Sequence, residues 1–259
     1  MLALLLLAPL LYLSQAKPFP ELVENGIPVN DTKFFPFQVF ISMNQGELSC
    51  GGTLLNSRYV LTAGHCGFDV DPDNVTTVYA GVVDPYNLDS GNIQGSRVKK
   101  VIFHSEWNFP ETAFNDIAVL ELETEFNITE YVNVAKIYAD DSFAEEPVTQ
   151  TVYFLGYGPL PGQLRNQELQ MGRAKIFNDR EKCREFYKEE PYVRVSDQEI
   201  CVQSHRAMTT PGDSGGPLLM PHYDLESETF EWRQIGINSA GKLVAPGFKI
   251  SEFHLRIRA

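Results

Sequence analysis

The stretch TTPGDSGGPLL, residues 209–219, fences one serine with glycines and sets an aspartate immediately before it. Gly, Pro, Asp and Ser are the usual turn formers, so a surface turn running into the apolar PLLM (217–220) accounts for the composition. A second account is chemical. A nucleophilic hydroxyl must stand clear of neighbouring side chains while backbone N–H groups converge on one point, and Gly212, Gly215 and Gly216 permit such a backbone.

Working outward, the chain has 259 residues, enough for one or two domains with a sizeable core. Its net charge is −13. Phosphate binding calls for a basic face, so a nucleic-acid partner is not expected. Residues 1–16, MLALLLLAPLLYLSQA, form an apolar run ending in the small-residue pattern Ser14-Gln15-Ala16, the form of a secretory signal cleaved after Ala16. A membrane anchor needs about 20 apolar residues. This run is shorter and Pro9 interrupts it, and no later segment is long and apolar enough to span a bilayer, so the expectation is a secreted, extracellular protein without a membrane partner.

Export makes Cys50, Cys66, Cys183 and Cys201 candidates for disulfides, with three connectivities open. Nearest-neighbour pairing closes loops of 16 and 18 residues. Each closure is worth about 3 kcal/mol in the chain-entropy model. Asn30, Asn74 and Asn127 each begin an Asn-x-Thr triplet and are glycosylation acceptors in the same compartment.

Most apolar runs are short, β-branched or aromatic, and bounded by Gly, Pro, Asn or Asp: 37–43, 58–62, 77–83, 98–103, 117–122, 149–156, 217–220 and 231–238. That spacing predicts an all-β sandwich or barrel. A helix is expected over Asp179–Glu190, capped by Asn178 or Asp179, and a second short one over Glu252–Ala259. The acidic stretch 137–150 reads as a linker crossing between two β halves.

A serine hydroxyl is a poor nucleophile at neutral pH and needs an adjacent base, normally a histidine oriented by a buried carboxylate. Of five histidines, His104, His222 and His254 sit among charged or aromatic residues and His205 in a polar loop. His65 follows the apolar YVLTAG (59–64) and directly precedes Cys66, and Gly64 leaves room for another group to pack against its ring. Asp116 lies between the polar TAFN (112–115) and the apolar IAVLEL (117–122), where a carboxylate can emerge from an apolar environment or simply cap a strand. No HExxH or clustered ligand spacing suggests a metal, and no cofactor is expected.

Taken in order, LTAGHC (61–66), DIAVL (116–120) and GDSGGP (212–217) resemble the chymotrypsin/trypsin family of serine endopeptidases. PFQV (36–39), CGGTLL (50–55), GYG (156–158), EICV (199–202) and INSAG (237–241) are similar too, so the likeness runs from about residue 22 to 250. It implies two packed antiparallel six-stranded β-barrels, the N-terminal one over about 23–136 and the C-terminal one over about 150–259, with a short helix before the last strands. It also implies polypeptide substrates, an activating protease and protein inhibitors as partners.

Residue by residue, the resemblance makes Ser214 the nucleophile, His65 the proton shuttle and Asp116 its orienting carboxylate, with the N–H groups of Gly212 and Ser214 as the oxyanion hole. Met208 falls at the base of a specificity pocket walled by Ser239, Gly241 and Gly247; an uncharged base implies cleavage after apolar or aromatic residues. VENG (23–26) resembles the new N-terminus of an activated enzyme, making 17–22 a propeptide and Val23 the amine that would pair with Asp213. The chain departs from the family where Gly64 replaces an alanine, Thr210 a bridged cysteine and Ala240 a pocket-wall tryptophan, where the segment Ser239–Pro246 is several residues shorter, and where the family's long closing helix is cut short. The alternative reading is a catalytically silent homologue acting as a secreted binding module, although silent members lose His, Asp or Ser and all three remain here.

Overall fold

Short β-branched and aromatic runs set off by turn formers pair here as antiparallel strands. The computed structural model describes residues 26–46, 48–70, 76–108, 114–138, 150–159, 168–189, 195, 199–204, 209–224, 228–242 and 250–256. The first half carries β1 (Ile27–Pro28), β2 (Gln38–Met43), β3 (Leu48–Leu54), β4 (Tyr59–Thr62), the one-turn helix α1 (Gly64–Phe68), β5 (Thr77–Ala80), β6 (Gln94–Phe103) and β7 (Ala118–Leu122). After β8 (Lys136–Ile137) come β9 (Thr151–Gly156), β10 (Gln170–Ile176), helix α2 (Arg180–Tyr187), β11 (Glu199–Ser204), β12 (Pro217–Asp224), β13 (Thr229–Lys242) and β14 (Ile250–Arg256).

Strands β2-β3-β4-β7-β6-β5 close into a six-stranded antiparallel barrel. Burial alternates along β5 and β7, as expected of strands with one face turned inward. Val39, Ile41, Leu54, Val60, Leu120 and Leu122 fill the interior. In the second sheet β10, β11, β14, β13, β12 and β9 follow one another, and β9 pairs with both β12 and β10, which completes a circuit of antiparallel pairings. Val152, Phe154, Ile176, Val202, Leu218 and Ile235 pack within it. β1 joins its edge through β10, and β8 lies parallel to β13. The all-β, two-unit architecture implied by the resemblance is therefore the one observed.

Nine buried residues join the two units: Val29, Phe35, Phe37, Phe40 and Val82 against Leu155, Tyr157, Leu169 and Leu219. The Tyr157 hydroxyl donates to Val82 O (2.9 Å), which satisfies its polar end inside this apolar layer. Burial pushes that phenol's pKa far up, so it stays a neutral donor. At roughly 2 kcal/mol per buried large side chain, this layer outweighs hydrogen bonds at about 1 kcal/mol each. The halves, and hence anything built between them, are held mainly by apolar contact.

Helix α2 is shorter than expected but begins where expected: Asp179 caps it, accepting from Lys182 N–H (3.0 Å). The Cys183–Cys201 disulfide pins it to β11. The expected helix over 252–259 is not found; β14 covers Ile250–Arg256 and pairs with β11 on one side and β13 on the other. Phe253 and Leu255 alternate with His254 and Arg256, a two-residue period. A strand here also serves the backbone groups of two neighbours that a helix would leave unpaired. Of the expected linker, Ile137 ends β8, and 139–149 lie outside the described residues.

Candidate active site

Adjacent strands bring His65 and Asp116 together. β4 and β7 pair through Leu61↔Val119 and Thr62↔Ala118; His65 sits just beyond the end of one strand and Asp116 just before the start of the other. His65 Nδ1 lies 2.8 Å from Asp116 Oδ2, and the His65 backbone N–H donates to Asp116 Oδ1 at 2.7 Å. A carboxylate only accepts, so Nδ1 carries the proton and Nε2 is left as the acceptor. The Ser239 hydroxyl donates to the same Oδ2 at 2.6 Å. Asp116 is only 2% exposed, and these bonds compensate its buried charge.

Gly64 admits a neighbour, as its sequence suggested. A Cβ there would fall 2.7 Å from Trp107 Nε1 and 3.0 Å from Asp116 Oδ1. The indole therefore lies beside the carboxylate, in space an alanine methyl would take. Trp107 in turn stacks on Phe103, with ring centroids 4.6 Å apart. Cys50 and Cys66 are joined, which pins the residue after His65 to β3 and spends the two sulfurs that lie close to its ring.

Burial favours the neutral His65 ring, but the hydrogen bond and charge of Asp116 outweigh it, so the imidazole pKa is raised above the ordinary 6.5. Two consequences follow from the sign. A reaction that uses His65 as a base loses rate as pH falls through a value above 6.5, and kcat/KM measured against pH checks this. The ion pair's contribution to stability is fully present below the unfolded-state pKa and disappears as pH rises through the higher folded one.

The Ser214 loop docks onto the first barrel. Gly51 N–H donates to Ser214 O (2.7 Å), and Thr62 Oγ1 donates to Gly51 O (2.9 Å). Gly212 has φ +102°, and Gly215 has φ +80° with a Cβ position 2.4 Å from Gly51 O. Side chains are thus excluded from both positions, by conformation at the first and by backbone contact at the second. The next link comes from β13. Asn238 Nδ2 donates to Asp213 O (3.2 Å), while its neighbour Ser239 holds Asp116. Adjacent residues of one strand thereby bind the serine loop and the His65–Asp116 pair.

Asp213 is buried, with its side chain turned away from this junction. Gly158 N–H donates to its Oδ1 (2.6 Å) and Thr210 N–H to its Oδ2 (2.8 Å). A cavity of about 270 Å³ opens beside Ser214, lined by Thr209, Thr210, Pro211, Asn238, Ser239 and Ala240. Among the described residues its lining carries no charged side chain.

Of the residues singled out in the sequence, His65, Asp116 and Ser239 are bonded to one another, Asp213 is held by Asn238 next to Ser239, Ser214 lines the cavity with Ser239, and Gly241 lies near the end of β13. Asn30 and Asn127 are exposed. Val23, Asn74, Met208 and Gly247 lie outside the described residues. Asn238, Trp107 and the Ser239–Asp116 bond were not legible locally: Ser239 and Asp116 are 123 residues apart, and no spacing rule connects them.

The family model described as Trypsin matches residues 23–253. The chain belongs to the trypsin family. Coagulation factor XI of Bos taurus is 28% identical over 216 residues, 80% of this chain and 32% of that protein. Proclotting enzyme of Tachypleus tridentatus is 29% identical over 241 residues, 85% of this chain and 61% of that protein. Atrial natriuretic peptide-converting enzyme of Mus musculus is 28% identical over 222 residues, 82% and 18% of the two chains. This trypsin-family chain therefore spans between 18% and 61% of the length of these relatives. Among the described residues, no helix is long and apolar enough to cross a membrane.

Proposed function

We propose that this trypsin-family chain is a secreted serine endopeptidase, made as a zymogen, that cleaves after apolar or aromatic residues through an acyl-enzyme. The observation that carries the reading is the two-point bond of Asp116 to His65, linked through Ser239 and Asn238 to the serine loop. Ser214 Oγ attacks the substrate carbonyl, His65 Nε2 takes its proton and returns it to the leaving amine, and Asp116 holds the imidazole in the required tautomer. The N–H groups of Gly212 and Ser214 receive the negative charge that develops on the carbonyl oxygen, each such donor typically worth about 3–4 kcal/mol.

Among the described residues the cavity lining carries no charged side chain, which supports an apolar preference over a cationic one. Activation at Val23 would deliver an amine to Asp213, whose buried carboxylate lies against the turn that carries Ser214. The first 16 residues act as the export signal and 17–22 as the propeptide.

The test is labelling with a fluorophosphonate, then peptide-library profiling and N-terminal sequencing of the active form. The expected results are one adduct on Ser214, cleavage after Leu, Phe, Tyr or Met, and a start at Val23. A protein that is fully processed yet takes up no probe is the binding module, not the enzyme. A profile led by Arg or Lys removes the apolar preference alone, and a fully active form starting at Lys17 removes the zymogen switch alone.

A further inference from the structure

Thr210 stands two residues before Gly212, where the family resemblance expects a cross-linked cysteine, and it closes the serine turn on itself. Its carbonyl accepts from Asp213 N–H (3.0 Å), and its own N–H donates to Asp213 Oδ2 (2.8 Å). Any displacement of Thr210 therefore moves Asp213 and the peptide units between them. What holds Thr210 is its hydroxyl, which lies 2.9 Å from Pro159 O and 3.2 Å from Asp213 Oδ2. A threonine hydroxyl has one proton to give. Of its two acceptors Pro159 O is the nearer, so that bond takes the proton. That bond leaves the loop and ties it to the segment after β9, whose Gly158 N–H holds the other Asp213 oxygen at 2.6 Å.

We propose that the Thr210 hydroxyl is the tether that positions the Gly212–Ser214 turn, making Thr210 a positioning residue for the oxyanion donors. The inference rests on the peptidase reading of Ser214. Residues 158–159 and 210–213 form one hydrogen-bonded unit in which both oxygens of a buried carboxylate and one side-chain hydroxyl are engaged. Gly51 and Asn238 hold the turn on its other side, and the anchor at Pro159 fixes the end of it that carries Thr210. Thr210 also lines the cavity, so the competing role is direct contact with a substrate side chain. The two roles separate kinetically: a tether acts on the transition state and hence on kcat, whereas a contact made equally in ground and transition states acts on KM.

The experiment compares Thr210→Val, which keeps shape and removes the hydroxyl, with Thr210→Ser, which keeps the hydroxyl, in the activated full chain. The valine variant is expected to lose about tenfold in kcat with KM within about twofold, the effect of one hydrogen bond realised in the transition state. Affinity for a peptide aldehyde, whose tetrahedral adduct needs the same donors, should fall in parallel. Amide hydrogen exchange over 209–216 should quicken in the valine variant only, and the serine variant should match wild type throughout. Wild-type kcat in the valine variant, a change confined to KM, or equal losses in both variants would each overturn the tether. If the wild-type chain neither cleaves peptides nor takes up a fluorophosphonate, the peptidase reading has failed. The exchange data then decide the tether alone: selective quickening in valine supports it, and unchanged exchange overturns it.

Discussion

Replacing Ser214 with alanine is expected to lower peptide hydrolysis about 10⁵-fold or more, because members of a catalytic triad act as a unit and the loss of one removes most of the gain. The variant should still fold. Ser214 engages the first barrel through its carbonyl, which accepts Gly51 N–H at 2.7 Å, and alanine keeps that carbonyl. Alanine also keeps the backbone angles a serine adopts, so a melting shift beyond a few degrees is not expected, in line with about 0.5 kcal/mol for substitutions that leave packing and pairing intact. Turnover above about a hundredth of wild type in a well-folded Ser214→Ala protein would mean that another group attacks the substrate. Substrate affinity should survive, since the cavity lining is otherwise unchanged.

Much of this architecture was legible because strand physics is local. Runs such as 37–43, 117–122 and 231–238 combine β-branched residues with turn formers at their ends, and strands occupy all of them. Strands β3 and β10 escaped because small residues fill their buried positions: Cys50, Gly51 and Gly52 in one, Gly172 and Ala174 in the other. Small residues carry little hydropathy signal, yet here they are buried by close approach. Gly172 shows why, since a Cβ there would meet the Phe154 ring at 2.1 Å. The helix expected over 252–259 gives way to β14, whose residues alternate with a period of two and whose backbone bridges β11 and β13.

The site divides along the same line. His65, Asp116 and Ser214 each sit in a recognisable local pattern, so chemistry together with the family resemblance could single them out. The groups that join them could not be found that way. Ser239 reads as part of a pocket wall and does line the cavity, but its hydroxyl also meets Asp116, 123 residues away in sequence. That bond exists because β13 runs from the second sheet to the junction, where Asn238 and Ser239 face different partners. Topology supplied the connection, and topology depends on the pairing of both sheets.

The second large effect is expected of Asp116→Asn: a fall of about 10⁴ in kcat/KM near neutral pH, with the fold retained. The amide is nearly the same shape but brings an NH₂ to one of two positions. If the NH₂ takes the place of Oδ1, it opposes the His65 backbone N–H now held at 2.7 Å, donor against donor. If it takes the place of Oδ2, it faces His65 Nδ1 and Ser239, and the serine hydroxyl can rotate to accept. The second arrangement avoids the clash and is therefore favoured. It forces Nδ1 to accept, which moves the imidazole proton to Nε2 and leaves no base for Ser214. The same substitution deletes the hydrogen bond and the charge of Asp116, the two larger influences that raise the His65 pKa, and leaves burial, which lowers it, opposed only by the charge of Asp69. The acid limb of the pH profile should accordingly move from above 6.5 in the wild type to below it in the variant. A pH–rate series on both proteins tests this directly: an unshifted limb, or activity within about a hundredfold of wild type, would show that Asp116 neither charges nor orients His65.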